Sequence, residues 1–381
     1  MRFIQIKIML ATIAIFLVAC QAPKQAVQSV PPEMTIEDEK SVVRNVIFMV
    51  GDGMGISQIT AGMYANNNSI AFEKFRKIGF HKSNAYNDLV TDSAAGATAF
   101  STGHKTYNGA IGVGPDTLAL ETILEEAEDR GYHTGMVTSS TIVHATPASF
   151  IAHNRLRRNY EEIAADFLET DIDLFIGGGL KYFNRRQDGR DLTAELEQKG
   201  YFMSDYFKED LDQIDFSEHS KVGYLTSDAD PLPVAQGRDY LPSATSKALD
   251  FLHAKSKDEK GFFLMIEGAQ IDWGGHANNG EYIVSEMIDF SKTIDVVWEF
   301  IQNHPETTVI ITADHETGGL AINKGSRLDS LDMRFTSDYH TADMIPVFAE
   351  GPGDEEFMGI YENTAIYNKM RRAFGWEEIS N

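Results

Sequence analysis

Ser93 lies in the segment 90–99, VTDSAAGATA, preceded by an acid, Asp92, and followed by small, helix-compatible residues. That pattern predicts a hydroxyl at the N-terminus of a helix, where free N–H groups favour an anion. A serine hydroxyl is a weak nucleophile near neutral pH and needs a base or a metal to activate it. No base is evident nearby in sequence, whereas carboxylates and imidazoles recur beside apolar runs. Asp52 follows the run VIFMV, and Glu267, Asp272 and His276 lie in FFLMIEGAQIDWGGH. Asp314 and His315 follow VIITA, and His340 opens the segment HTADMIPVFAEGP. These are ligand types for divalent metals, so the pattern reads as metal-activated serine chemistry.

Residues so far apart must be gathered by a regular scaffold. The short apolar runs 45–50, 134–138, 174–177, 262–267, 308–312 and 346–349 read as buried strands. Segments 118–130 and 160–168 fit amphipathic helices. In 283–301 the residues Ile283, Met287, Phe290, Ile294, Val297 and Ile301 recur at helical spacing and read as core. The alternation predicts an α/β three-layer sandwich with a central, mostly parallel sheet flanked by helices. Ligands of such folds bind beyond the carboxyl ends of the strands, where Asp52, Glu267, Asp314 and His315 would fall. Residues 182–245, charged and interrupted by Asp188-Gly189, Pro231 and Pro233, read as a peripheral excursion from a catalytic domain of residues 42–381. His81, His104, His133, His153, His219, His253 and His304 carry no site signal.

Residues 1–19 have a basic start (Arg2, Lys7) and an apolar stretch too short to span a bilayer, and Leu17-Val18-Ala19 leads into Cys20. This resembles a bacterial lipoprotein signal, cleaved before a cysteine that then carries lipid. Residues 20–41 would be the tether. The expected location is therefore extracytoplasmic, periplasmic or at the cell surface, with the outer membrane as the site of the anchor. Cys20 is the only cysteine, so no internal disulfide is available. Loss of residues 1–19 removes Arg2 and Lys7 and no acid, taking the formal charge from −24 to −26. Such a surface excludes nucleic acid as a specific partner and repels phosphate unless the field is inverted locally.

The segments VGDGMG, TDSAAGATAFSTGHKTYNGAIGV, HATPASFIAH, IEGAQIDWGGHA, TADHETGG and YHTAD together resemble the alkaline phosphatases, in the family's order, between about residues 45 and 352. The resemblance implies hydrolysis of phosphate monoesters through a phosphoserine on Ser93, with two zinc ions and one magnesium. Asp272, His276 and His340 match the ligands of the first zinc. Asp314 and His315, with Asp52 and the Ser93 oxygen, match those of the second. Asp52 is shared with the magnesium, whose other protein ligands match Thr146 and Glu267. Arg157 matches the phosphate-gripping arginine, with Arg155 and Arg158 as neighbouring alternatives, and Asp92 joins it in the substrate-binding set. Three divalent ions and a guanidinium against four carboxylates and a serinate leave a pocket of roughly +2 for a dianion.

Two positions near the metals vary within the family, and this chain has His144 and Trp273. The pair resembles some marine bacterial members. His144, outside the direct ligands, would hold magnesium-coordinated waters less tightly than an aspartate, and Trp273 removes a cation that would grip phosphate. The resemblance also leaves a homodimer open; the short stretch between Gly319 and His340 has no room for the large insertion of animal members. The alternatives are a phosphodiesterase or sulfatase of the same superfamily and a non-catalytic phosphate-binding lipoprotein. Hydrolysis of a monoester, a diester and a sulfate ester before and after chelation separates them.

Overall fold

The computed structural model describes residues 45–257, 260–328 and 330–376. The expected signal, Cys20 and the tether lie outside them. The ten strands of the main sheet are β1 (Asn45–Gly51), β2 (Lys77–Lys82), β3 (His133–Thr141), β4 (Leu174–Gly178), β5 (Tyr201–Asp205), β6 (Lys221–Leu225), β7 (Phe262–Gly268), β8 (Thr307–Thr312), β9 (Ile345–Glu350) and β10 (Gly359–Glu362). Their order in space is β10-β2-β9-β8-β1-β7-β3-β4-β6-β5. β9 alone runs antiparallel to its neighbours, β2 and β8.

β1 shows why the apolar runs become central strands. Its residues are buried on both faces, with Val46, Phe48 and Val50 in one core and Ile47 and Met49 in the other. A half-buried strand would have shown alternation; a strand covered on both sides reads as a continuous apolar run. The first core is closed by α2 (Ser93–Thr102), α3 (Ile123–Asp129), α4 (Ala145–Ala148), α5 (Tyr160–Asp166), α6 (Leu180–Asn184), α7 (Leu192–Gln198) and the C-terminal Ala365–Ala373. The second is closed by α1 (Ile56–Ala65), α8 (Leu241–Ser256), α9 (Gln270–His276) and α10 (Gly280–Asn303). The C-terminal helix is α11. This is the three-layer sandwich expected, and the six spaced residues of α10 are all buried.

Three expectations needed adjustment. The helix expected over 118–130 starts only at Ile123, because Thr122 and Glu125 form a reciprocal cap: Thr122 N donates to Glu125 at 2.8 Å and Glu125 N to Thr122 Oγ1 at 3.2 Å. Residues 182–245 supply β5 and β6, which continue the sheet beyond β4, with β5 at its edge. β2 and β10 also lacked the long apolar run that marks a central strand; β2 reads KIGFHK and exposes alternate residues. Among the described residues no helix is long and apolar enough to cross a membrane.

Candidate active site

Strand register gathers the site. Val50 of β1 pairs with Glu267 of β7 and with Thr312 of β8. Asp52, Glu267, Asp314 and His315 therefore leave adjacent strands at the same edge. The turn after β1 is tight: Gly53 has φ +73°, and a Cβ there would lie 2.6 Å from the Asp272 Cα. Its N–H donates to Asp314 Oδ1 at 3.2 Å. Helix α2 approaches equally closely. A Cβ on Gly96 would meet the Asp314 Cβ at 2.9 Å, which accounts for the run of small residues after Ser93. Asp92 caps this helix by accepting from Ala95 N at 2.9 Å, leaving Ser93 buried in its first turn.

Asp272 and His276, one turn apart on α9, meet His340 from the two-residue strand His340–Thr341, which pairs antiparallel with Glu316–Thr317. The His276 and His340 Nε2 atoms are 3.1 Å apart, and the Asp272 oxygens lie 3.4 and 3.5 Å from them. Each ring donates its Nδ1–H to a backbone carbonyl, His276 to Asp338 O at 2.7 Å and His340 to Thr91 O at 2.8 Å. Both Nε2 lone pairs then face each other and a carboxylate, an arrangement that a cation between them satisfies. Burial and the neighbouring His315 push His340 down to about 4, so the ring is neutral and ready to ligate.

Beside it, His315 Nε2 faces Ser93 Oγ at 3.4 Å, Asp314 Oδ2 at 3.1 Å and Asp52 Oδ1 at 3.6 Å. Thr317 Oγ1 gives its hydrogen to Asp272 at 2.5 Å and accepts from His315 Nδ1 at 3.2 Å, which again turns Nε2 inward. On the far side of Asp52, Thr146 approaches its Oδ2 at 3.5 Å, and Glu267 accepts from Thr138 and, at 3.1 Å, from Ser140. His144, one residue before α4, offers a ring nitrogen within 4.8 Å of carboxylate oxygens of Asp52 and Glu267. The ring therefore stands beside the third cluster, next to Asp52 and Glu267. It also stands edge-on to Trp273 at 6.0 Å.

Arg157 is half-buried against the mouth of the site, while Arg155 and Arg158 are exposed. Its Nη1 donates to Asp92 Oδ2 at 2.9 Å and its Nη2 to His144 Nε2 at 3.3 Å. Each terminal nitrogen keeps a second N–H for an anion. Both Asp92 oxygens are engaged, one by the helix and one by Arg157, so its carboxylate orients the guanidinium. Burial and Arg157 push His144 down to about 3, fixing it as a neutral acceptor.

The electrostatics test whether metals fit. Asp52 Oδ1, Glu267 Oε1 and Asp314 Oδ2 are buried and have no hydrogen-bond partner. Burial and then the charges of Asp314, Asp272 and Glu267 drive Asp52 well above the ordinary carboxylate range. Burial outweighs three hydroxyl hydrogen bonds and lifts Glu267 to about 7. Asp314 goes the other way: burial opposes ionisation, but His315 beside it holds the carboxyl low and is itself raised in return. Orphaned oxygens and inward lone pairs at three adjoining clusters, the third built on oxygens of Asp52, Glu267 and Thr146 with the His144 ring beside them, fit divalent cations.

Residues 43–332 match the family model for alkaline phosphatase. The chain belongs to the alkaline phosphatase family. That family hydrolyses phosphate monoesters with metal ions, and the chain is an enzyme of it. Alkaline phosphatase 3 of Bacillus subtilis (strain 168) is 36% identical over 312 residues, covering 76% of this chain and 66% of the relative. The solved alkaline phosphatase from the Antarctic bacterium TAB5 is 43% identical, with a TM-score of 0.83 over 88% of this chain and 99% of that one. A histidine-to-aspartate variant of the same Antarctic enzyme was solved with Mg bound in its M3 site. A cold-active alkaline phosphatase from Shewanella sp. is 32% identical, with a TM-score of 0.79 over 87% of this chain and 99% of that one. His340 lies beyond the matched stretch; its place in the site rests on the geometry.

Sequence reasoning missed the residues that orient the ligands. Thr317, Thr138 and Ser140 are hydroxyls that turn His315, Asp272 and Glu267, and Tyr339 stacks on His340 at 4.4 Å. His81 Nε2 donates to Ala313 O at 2.8 Å, pinning the backbone just before Asp314. Thr317 and Tyr339 sit inside the segments TADHETGG and YHTAD, so their neighbourhood was signalled; their roles were not.

Proposed function

We propose that this enzyme removes phosphate from monoesters by way of a phosphoserine on Ser93, outside the cytoplasm, with two zinc ions and one magnesium. The observation that carries the reading is the buried Ser93 Oγ 3.4 Å from His315 Nε2, which in turn faces the Asp52 and Asp314 oxygens, with Arg157 paired to the neighbouring Asp92. Asp272, His276 and His340 would hold one zinc; Asp52, Asp314 and His315 the other; Asp52, Glu267 and Thr146 the magnesium, with His144 within reach. When bound, these ions supply the positive charge that lowers the pKa of a hydroxyl or water and stabilises the two apical oxygens of an in-line displacement.

The chain's own residues do the rest. Arg157, held at both ends by Asp92 and His144, grips two non-bridging phosphate oxygens. The Ser93 oxygen forms its bond to phosphorus as the bond to the alcohol oxygen breaks, and the alcohol leaves on the side of His276 and His340. Water then attacks the phosphoserine from that side, the Ser93–phosphorus bond breaks, and inorganic phosphate departs. Trp273, offering an indole beside His144, gives the product no charge to hold it. Magnesium bound in the M3 site of the Antarctic histidine-to-aspartate variant supports magnesium as the third ion.

Ser93→Ala tests the reading: kcat for a chromogenic monoester is expected to fall by about 10³-fold or more. Acid quench of the wild type during turnover is expected to trap phosphate on Ser93. A near-normal kcat in the variant, or a diester or sulfate ester hydrolysed faster than the monoester, overturns it. Export and anchoring rest on Cys20: Cys20→Ser is expected to abolish incorporation of labelled fatty acid, and equal labelling refutes the anchor.

A further inference from the structure

The rim of the sheet opposite the catalytic cleft holds a second group of ligand-type side chains. His253 sits in the last turn of α8, His304 directly follows α10, and Glu306 directly precedes β8. Two ring nitrogens and a carboxylate oxygen lie within 4.8 Å of one another. His304 Nδ1 and Glu306 Oε1 are 3.7 Å apart, too long for a hydrogen bond. Two ligands on one tetrahedral zinc, each at about 2.1 Å, stand roughly 3.4 Å apart, so small rotamer shifts suffice.

The carriers are held in place. Thr307 N donates to His304 O at 3.0 Å and Asn45 N to Glu306 O at 3.3 Å. Phe300 stacks on the His304 ring at 4.2 Å, and the His253 ring lies 4.1 Å from it. Among the described residues, neither ring makes a side-chain hydrogen bond apart from the Glu306 approach. The six residues of β8, at about 3.3 Å each, separate this cluster by roughly 20 Å from Asp314 and His315.

We propose that His253, His304 and Glu306 bind one zinc ion, separate from the catalytic metals, that clamps the end of α8 to the α10–β8 connection. Two imidazoles and one carboxylate suit zinc and its borderline neighbours over magnesium or calcium, and three protein ligands leave the fourth position to water. With Cys20 the only cysteine, a metal is the cross-link this chain can form between the two helices.

Zinc content of the dialysed, zinc-loaded enzyme tests this, wild type against the double variant His253→Gln/His304→Gln. The wild type is expected to hold one more equivalent of zinc per chain, with kcat the same in both. Zinc added beyond full activity is expected to raise the wild-type Tm by a few degrees and leave the variant's unchanged. Equal zinc content overturns the proposal and leaves an aromatic cluster only. Should the variant not fold, anomalous diffraction at the zinc edge from wild-type crystals decides: a peak touching all three side chains supports the site, and its absence overturns it. Because the comparison reads a difference, failure of the catalytic-metal reading would leave it unchanged.

Discussion

Glu126 on α3 and Asp52 at the end of β1 are both buried carboxylates, and they meet opposite fates. Glu126 receives Arg371 Nε at 2.9 Å, Arg130 Nη2 at 2.8 Å and the Tyr367 hydroxyl at 2.9 Å. Burial works against its charge, but those hydrogen bonds outweigh it and hold the carboxyl below its ordinary range. Asp52 has a bare Oδ1, three other acids around it and a pKa driven far up. One cluster is closed, with its cations built from side chains. The other is open, and its cations must come from solution. Buried acids whose oxygens lack hydrogen-bond partners in an otherwise well-satisfied fold mark the place where binding completes folding.

Removing the metals should break this contrast most visibly. Chelation, with metal loss confirmed, is expected to bring hydrolysis to background and lower Tm by about 10 °C, and zinc plus magnesium should restore both. The Ser93–His315 contact of 3.4 Å provides a rival: a serine–histidine pair acting alone would survive chelation. Retained activity in the metal-free protein would favour that pair and end the metal reading.

The two clusters should also respond oppositely to losing one charge. Arg371→Met takes the more buried of two guanidinium partners from Glu126, leaving Arg130 and Tyr367, and is expected to cost about 2–3 kcal/mol of stability while leaving kcat per folded molecule intact. Asp52→Asn should abolish activity of the metal-loaded enzyme yet stabilise the chelated protein by about 1–3 kcal/mol, since it removes a buried repulsive group. Denaturant melts of both variants in chelator check this. Equal destabilisation by the two substitutions would erase the distinction between open and closed.

Smaller changes should tune the open cluster. His144→Asp adds a charged oxygen beside Asp52 and Glu267 and is expected to tighten magnesium by roughly ten- to a hundredfold, read from reactivation after dialysis. Trp273→Lys is expected to strengthen inhibition by inorganic phosphate about tenfold and to slow product release. An unchanged magnesium requirement and phosphate inhibition would show that neither side chain tunes the site.

The smallest effect belongs to a closed pair. His153 Nε2 meets Glu125 Oε1 at 2.8 Å. Burial opposes each charge, but the mutual contact raises His153 and lowers Glu125. Stability from the raised histidine is present below its unfolded pKa, near 6.5, and is lost as pH climbs through its folded value. Stability from the lowered glutamate is lost as pH falls through its own. His153→Gln should therefore destabilise the fold by up to about 1 kcal/mol at pH 6 and less at pH 9. A loss that grows with pH would contradict the pairing.

Much of this was legible beforehand, and for physical reasons. α10 declared itself through six apolar residues at helical spacing, because a helix packed on a sheet must bury one stripe. β1, β7 and β8 declared themselves as unbroken apolar runs, because both their faces are covered. The ligand types beside those runs and the small residues after Ser93 pointed to metal-activated serine chemistry. β5 and β6 stayed hidden: at five residues each near the sheet's edge, they carry little pattern of their own. The place of His144 beside Asp52 and Glu267 was hidden as well, since it depends on how the turn before α4 packs against distant strands.

The sequence by itself determined which residues could carry chemistry and that an α/β sheet would deliver them to one edge, because periodicity and residue type are local properties. Only the tertiary structure decided that Arg157 pairs with Asp92 and His144 while Arg155 and Arg158 stay exposed, and that Thr317 hydrogen-bonds both Asp272 and His315. Those outcomes depend on strand register and on packing between segments more than forty residues apart, such as Thr317 and Asp272, |i−j| = 45. No short-range pattern encodes such distances. They are set when the cores on both faces of the sheet close together, leaving the oxygens at its carboxyl edge without partners.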